Sequence, residues 1–138
     1  MAESTPKPRQ QFRNIGAADL LLHIKQPPAA KASFLHRVSG ALLVLALPLV
    51  IVPLFALSVE SPATFATLKG WVNNPAGKIV LLVLMWAYFH HFFAGIRFLT
   101  LDLHRGDSRA ASQRSGALVI GIAVLLTIVF GSKLFGLW

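Results

Sequence analysis

Three long apolar stretches dominate the chain, at about residues 33–57, 77–103 and 116–137. About 20 residues of helix cross the roughly 30 Å of hydrocarbon in a bilayer. The pattern therefore predicts an all-α integral membrane protein with three transmembrane helices, arranged up-down-up. Pro48 and Pro53 lie inside the first span, where membrane helices tolerate proline, and we expect them to bend it.

Polar segments divide the chain around these spans. Residues 1–32 form an N-terminal segment expected in the cytoplasm, and residues 33–138 form the membrane anchor domain. Pro27–Pro28 is expected to break the chain before the first span. Residues 58–76 and 104–115 are predicted to be loops between spans.

Basic residues are distributed unevenly around the spans. They precede the first span and occupy the second loop, at Lys7, Arg9, Arg13, Lys25, Lys31, Arg105, Arg109 and Arg114. The first loop holds only Lys69, with Lys78 at its edge. The positive-inside rule then places the N-terminus and second loop in the cytoplasm. Because the net charge of +8 is accounted for at span ends, a nucleic-acid partner is not expected, whereas membrane lipid is.

Composition narrows the chemistry that is available. Only 13% of residues are charged, against about 25% in soluble domains, which supports membrane insertion. There are no cysteines, which excludes disulfides, iron–sulfur clusters held by this chain and covalent c-type haem. A bound metal would need histidine or, less readily, Met1 or Met85.

Ionisable residues inside the second span point to a functional site, because such residues are costly in a membrane. His91, Gly95, Phe98 and Asp102 are spaced to form one helical stripe. A histidine at this depth suits the axial position of haem iron, and Gly95 would let a flat macrocycle approach the backbone. Close helix packing is the alternative explanation for Gly95. His90 is a second candidate that points about 100° away.

The first span carries a second polar group near its start. Ser33 and Arg37 are one helical turn apart, and His36 borders the same face. A quinone carbonyl could accept hydrogen bonds from Ser33 and Arg37. The propionates of a haem at His91 could face His36, Arg37 or Arg97. The alternative for Arg37 is a side chain that extends to the head groups.

At these residues the chain resembles the cytochrome b large anchor subunit of succinate dehydrogenase. The family pattern S-x-x-H-R-x-S-G is present as Ser33-Phe-Leu-His36-Arg37-Val-Ser39-Gly40. The pattern H-x-x-x-G-x-R-H-x-x-x-D is present from His91 to Asp102, except that Phe98 replaces the family's second histidine. The resemblance covers roughly residues 10 to 138.

The resemblance implies specific roles for these residues. Ser33 and Arg37 look like the quinone-binding pair, and His91 looks like the axial ligand of haem b. His36 looks like a propionate partner, and position 98 has no such role here. Arg97 and Gly95 are assigned to the haem environment, while Asp102 and His90 are further candidates.

The resemblance also implies partners and a place in a respiratory enzyme. A second small anchor subunit would supply the other axial histidine, and a flavoprotein and an iron–sulfur subunit would dock on the cytoplasmic face. Succinate would be oxidised at the flavin and its electrons passed to ubiquinone. Because no apolar core with a cleavage site follows Met1 and no presequence is evident, we expect the bacterial inner membrane and not the mitochondrial one.

Three alternatives stay open from sequence. The first is a fumarate reductase anchor that oxidises a quinol. The second is a small transporter or channel subunit whose histidines and arginines line a path. The third is an anchor with a structural role alone.

Overall fold

A computed structural model describes Gly16, Ala18, Asp19 and residues 24–138, so most of the predicted N-terminal segment 1–32 lies outside the described residues. Most of the described residues are helical. The helices are α1 (Pro28–Ala46), a π-helical segment (Leu47–Ile51), α2 (Val52–Val59), α3 (Pro62–Asn73), α4 (Pro75–Asp102) and α5 (Arg109–Leu134).

The first span is one continuous helical stretch from Pro28 to Val59, 32 residues long. It begins earlier than the predicted Ser33 because Pro28 occupies the first helical position, where its missing N–H has no cost. Pro48 lies within the π-helical segment and Pro53 just after it. A π turn widens the helix locally and accommodates prolines that lack an N–H and crowd the preceding turn.

The prediction of a loop over residues 58–76 is wrong, because α3 occupies most of it. Ser61 caps α3 by accepting from the Thr64 N–H (3.1 Å), and the Ser61 N–H donates to Thr64 Oγ1 (3.0 Å). This reciprocal capping offsets the cost of starting a helix. Asn74 then ends α3 and caps α4 by accepting from the Ala76 N–H at 2.9 Å.

Small residues bring the three spans together. All three pairs among α1, α4 and α5 are in contact, and Ala32, Ala87, Ala94 and Ala123 are completely buried. Large apolar side chains instead point outward, among them Leu49, Leu99 and Leu118. Interfaces of small residues with an apolar exterior are typical of membrane helices. The predicted three-helix membrane fold is confirmed, since α1–α2, α4 and α5 are each long and apolar enough to span.

The second connection is shorter than predicted. Residues 104–115 were expected to form a loop, but α5 begins at Arg109, with Ser108 capping it by accepting from the Ala111 N–H (3.3 Å). The two added turns of α5 place Ser112, Gln113 and Ser115 beside the other spans, where their side chains reach α1 and α4.

Candidate functional site

A pair of stacked imidazoles joins α1 to α4. The rings of His36 and His91 lie parallel to within 14°, with centroids 4.2 Å apart. His91 Nδ1 lies 3.1 Å from the backbone carbonyl oxygen of His36. Since a carbonyl oxygen only accepts hydrogen bonds, Nδ1 carries the proton in this contact. In the neutral form of the ring, this contact leaves the other nitrogen, Nε2, without a proton and able to bind a metal.

Ser39 completes this arrangement from one turn further along α1. Its side chain is completely buried, and its hydroxyl donates to the His36 carbonyl at 3.0 Å. The same hydroxyl lies 3.4 Å from His91 Nδ1. The carbonyl and the hydroxyl together fix the direction of the His91 ring, and a fixed ring is what a metal ligand requires.

Gly40 makes room for His91. A Cβ atom at this position would lie 2.8 Å from His91 Cε1, closer than carbon atoms pack. His91 faces an apolar groove of about 810 Å³ between α1 and α4. Residues of the π-helical segment and Leu134 of α5 complete the lining, which consists of Gly40, Leu43, Val44, Ala46, Leu47, Ile51, Leu81, Leu84, Met85, Tyr88, His91 and Leu134. The groove therefore offers space beside His91 for an apolar ligand.

Two later residues of the second motif, Gly95 and Phe98, lie near His36 and not near His91. Phe98 packs against the His36 ring with centroids 5.1 Å apart. A Cβ atom added at Gly95 would lie 3.9 Å from His36 Nε2, which is an ordinary packing distance. Gly95 thus contributes to the space around His36, whereas Gly40 contributes to the space around His91.

Arg37 and Ser33 lie on α1 about one and two turns, respectively, before Gly40 at the edge of the groove. Ser33 is half-buried, and Arg37 is exposed on the surface of this chain. Both are within the first three turns of α1, which begins at Pro28. Asp102 is the last residue of α4 and is exposed.

Arg97 binds α5. Its Nε donates to Ser115 Oγ at 3.0 Å, and its Nη2 donates to Ser112 Oγ at 2.9 Å and to the Ser112 carbonyl at 3.3 Å. The residue is 6% exposed, and hydrogen bonds are what make a buried cation tolerable. The expected role of Arg97 at a haem propionate stays a prediction, while the structure gives its guanidinium a second role in joining α4 to α5.

The His90 side chain points away from that of the adjacent His91. Its ring is completely buried and stacks on Trp86 with centroids 5.6 Å apart. Its Nε2 lies 3.3 Å from the Ala32 carbonyl oxygen, and its Nδ1 has no hydrogen-bond partner within the described part of the chain. The two adjacent histidines therefore face different surroundings.

Sequence reasoning assigned no role to three residues that shape the site. Ser39 and Gly40 are part of the first motif. The three-residue spacing between His36 and Ser39 could have indicated that the Ser39 hydroxyl reaches the His36 carbonyl. Gln113, which reaches α1, had no signal because it was expected in a loop.

This fold and site define a class of protein: a three-helix membrane subunit with stacked imidazoles beside an apolar groove. Residues 13–130 match the family described as succinate dehydrogenase/fumarate reductase transmembrane subunit. The chain therefore belongs to this family, and it is a membrane-anchor subunit of the cytochrome b type. The motif-based resemblance is confirmed.

Two relatives illustrate the match. The chain is 38% identical over 108 residues to the succinate dehydrogenase cytochrome b556 subunit of Paracoccus denitrificans, covering 75% of this chain and 82% of the relative. It is 30% identical over 105 residues to the protein of the same name from Coxiella burnetii (strain RSA 493 / Nine Mile phase I), covering 76% and 84%.

Proposed function

We propose that this anchor subunit binds haem b through His91 and forms part of the ubiquinone reduction site through Ser33 and Arg37. The observation that carries the proposal is the contact between His91 Nδ1 and the His36 carbonyl. It holds the imidazole in the tautomer and orientation that leave Nε2 available to iron.

The residues around His91 fit a haem. The groove beside His91 is apolar, and Gly40 keeps it open. Bound haem b supplies a reversible one-electron couple. A second small anchor subunit would provide the other axial histidine.

His36 is suited to the edge of this cofactor. Its ring lies flat on His91, so a group ligated by His91 would have His36 next to it. An imidazole at that position can donate a hydrogen bond to a propionate, which would otherwise be unpaired in a medium of low dielectric.

Ser33 and Arg37 supply polar groups for a quinone near the start of α1. The Ser33 hydroxyl can donate to a quinone carbonyl, and the Arg37 guanidinium can stabilise negative charge that develops on the carbonyl oxygen. Arg37 is exposed on this chain, so its charge is free to face a substrate at the junction with other subunits.

The assembled enzyme would include a flavoprotein and an iron–sulfur subunit on the cytoplasmic side of a bacterial inner membrane. The two relatives are both named for succinate dehydrogenase, which favours succinate oxidation over fumarate reduction. Electrons from succinate would then reach ubiquinone beside this chain.

The test is purification of the chain with the subunits encoded beside it. We expect a b-type signal in the dithionite-reduced minus oxidised spectrum and succinate-dependent reduction of a short-tail ubiquinone. Lack of haem in an intact complex that reduces quinone would overturn the haem assignment. Purification of this chain without any partner subunit would contradict the proposed assembly.

A matched pair of glycine substitutions tests the shape of the haem pocket. We expect Gly40→Ala to lower haem occupancy severalfold, because the new methyl group would lie 2.8 Å from His91 Cε1 and displace the ligand. Gly95→Ala should retain haem, because its methyl group would have an ordinary 3.9 Å contact with His36. The ratio of haem to flavin in each purified complex measures the effect. Equal occupancy in the two variants would contradict the assignment.

A further inference from the structure

The first turn of α1 is held by side chains from both neighbouring spans. From α5, the Gln113 Oε1 accepts a hydrogen bond from the Ala29 N–H at 3.1 Å. From α4, the His90 Nε2 donates to the Ala32 carbonyl at 3.3 Å. The backbone of Gly116 also packs closely on Ala29, since a Cβ there would lie 2.7 Å from the Ala29 Cα.

The contact with Gln113 replaces a cap that α1 does not provide for itself. The residue before the helix is Pro27, which offers no side-chain hydrogen bond, and Pro28 has no N–H to donate. Ala29 therefore carries the first free backbone donor of the helix, and an amide donor at a helix start needs a partner. Gln113 supplies that partner across the α1–α5 interface.

The burial of His90 is not explained by packing alone. The ring is completely buried, and Nδ1 has no hydrogen-bond partner in the described part of the protein. An unpaired buried nitrogen is unfavourable, and a phenyl ring would fill the same space beside Trp86 without it. What the imidazole adds is the N–H that binds the Ala32 carbonyl.

Both contacts act on the N-terminal end of α1, directly before the turns that carry Ser33 and Arg37. Ser33 follows Ala32 directly, and Arg37 lies one turn further. We propose that His90 and Gln113 are positioning residues that hold the N-terminal end of α1 in place for quinone binding. The inference rests on the proposed quinone site, and it separates the role of His90 from that of the haem ligand.

The experiment measures steady-state quinone kinetics of the purified whole complex. His90→Phe keeps the ring and its stacking but removes the donor, and Gln113→Leu removes the acceptor. We expect each to raise the KM for a short-tail ubiquinone about three- to tenfold, the effect of one net hydrogen bond. The kcat, the haem spectrum and succinate oxidation by a soluble dye should change little.

Conservative variants distinguish the loss of one hydrogen bond from a general packing defect. His90→Gln retains an N–H donor, and Gln113→Glu retains an oxygen acceptor that also suits a helix N-terminus. Each should return the KM towards the unsubstituted value. If His90→Phe does not assemble, the Gln113 pair decides the question alone.

Several outcomes would overturn the inference. An unchanged KM in the assembled variants would do so, as would a raised KM that the conservative variants do not restore. Loss of haem in His90→Phe with normal quinone kinetics would assign His90 to the cofactor. When the His90 and Gln113 variants have normal quinone kinetics, Arg37→Ala shows which proposal fails. If Arg37→Ala also has no effect, the proposed quinone site fails. If Arg37→Ala impairs quinone reduction, only the positioning role of His90 and Gln113 fails.

Discussion

His91→Leu is expected to remove the b-type haem signal from the purified complex, with occupancy falling at least about tenfold, because the substitution deletes the proposed iron ligand. The spans should still insert and pack. The contact with the His36 carbonyl contributes only about 1 kcal/mol as a net hydrogen bond, and leucine suits an apolar groove. The measurement is the reduced minus oxidised spectrum, normalised to flavin.

The adjacent histidine provides the control for this result. His90→Phe should retain haem, because the His90 ring contacts Trp86 and the Ala32 carbonyl and not the groove. Normal haem in His91→Leu together with loss in His90→Phe would transfer the ligand to His90. Normal haem in both would place the ligand outside this pair.

Arg37→Ala is expected to lower kcat/KM for ubiquinone about tenfold or more. A charge-assisted hydrogen bond contributes about 1.5–3 kcal/mol, and each 1.36 kcal/mol of lost transition-state stabilisation is about tenfold in rate. Succinate oxidation measured with a soluble dye should be unaffected, because in the proposed enzyme the dye takes electrons before they reach this chain. Steady-state assays with the two acceptors separate these effects.

Two further variants show whether quinone reduction depends on the position and shape of the Arg37 guanidinium or on its positive charge alone. Lys31→Ala removes an exposed cation from the same helix and should leave quinone reduction unchanged. Arg37→Lys keeps the charge but loses the planar guanidinium, so an intermediate rate is expected. Equal loss of the quinone and dye activities in Arg37→Ala would indicate a defect in assembly and would contradict the assignment.

The three spans could be predicted from the sequence, whereas helix α3 between the first two could not. The three spans follow from hydropathy, because every backbone group in lipid must be satisfied within a helix. Helix α3 was missed, since the polar character of residues 58–76 outweighed the capping pattern of Ser61 and Thr64. Capping is a short-range effect of a few residues, and hydropathy averaged over a span does not detect it.

The sequence by itself determined the membrane class, the three spans, the family and the motifs that contain His36, His91 and Arg37. Periodicity also showed that His90 and His91 point in different directions. Only the tertiary structure decided which neighbour each side chain contacts. His91 contacts the His36 carbonyl, Arg97 contacts α5, and Gln113 contacts the first turn of α1. The physical reason is that spacing along a helix defines faces, whereas contacts depend on how small residues allow the helices to approach and rotate against each other.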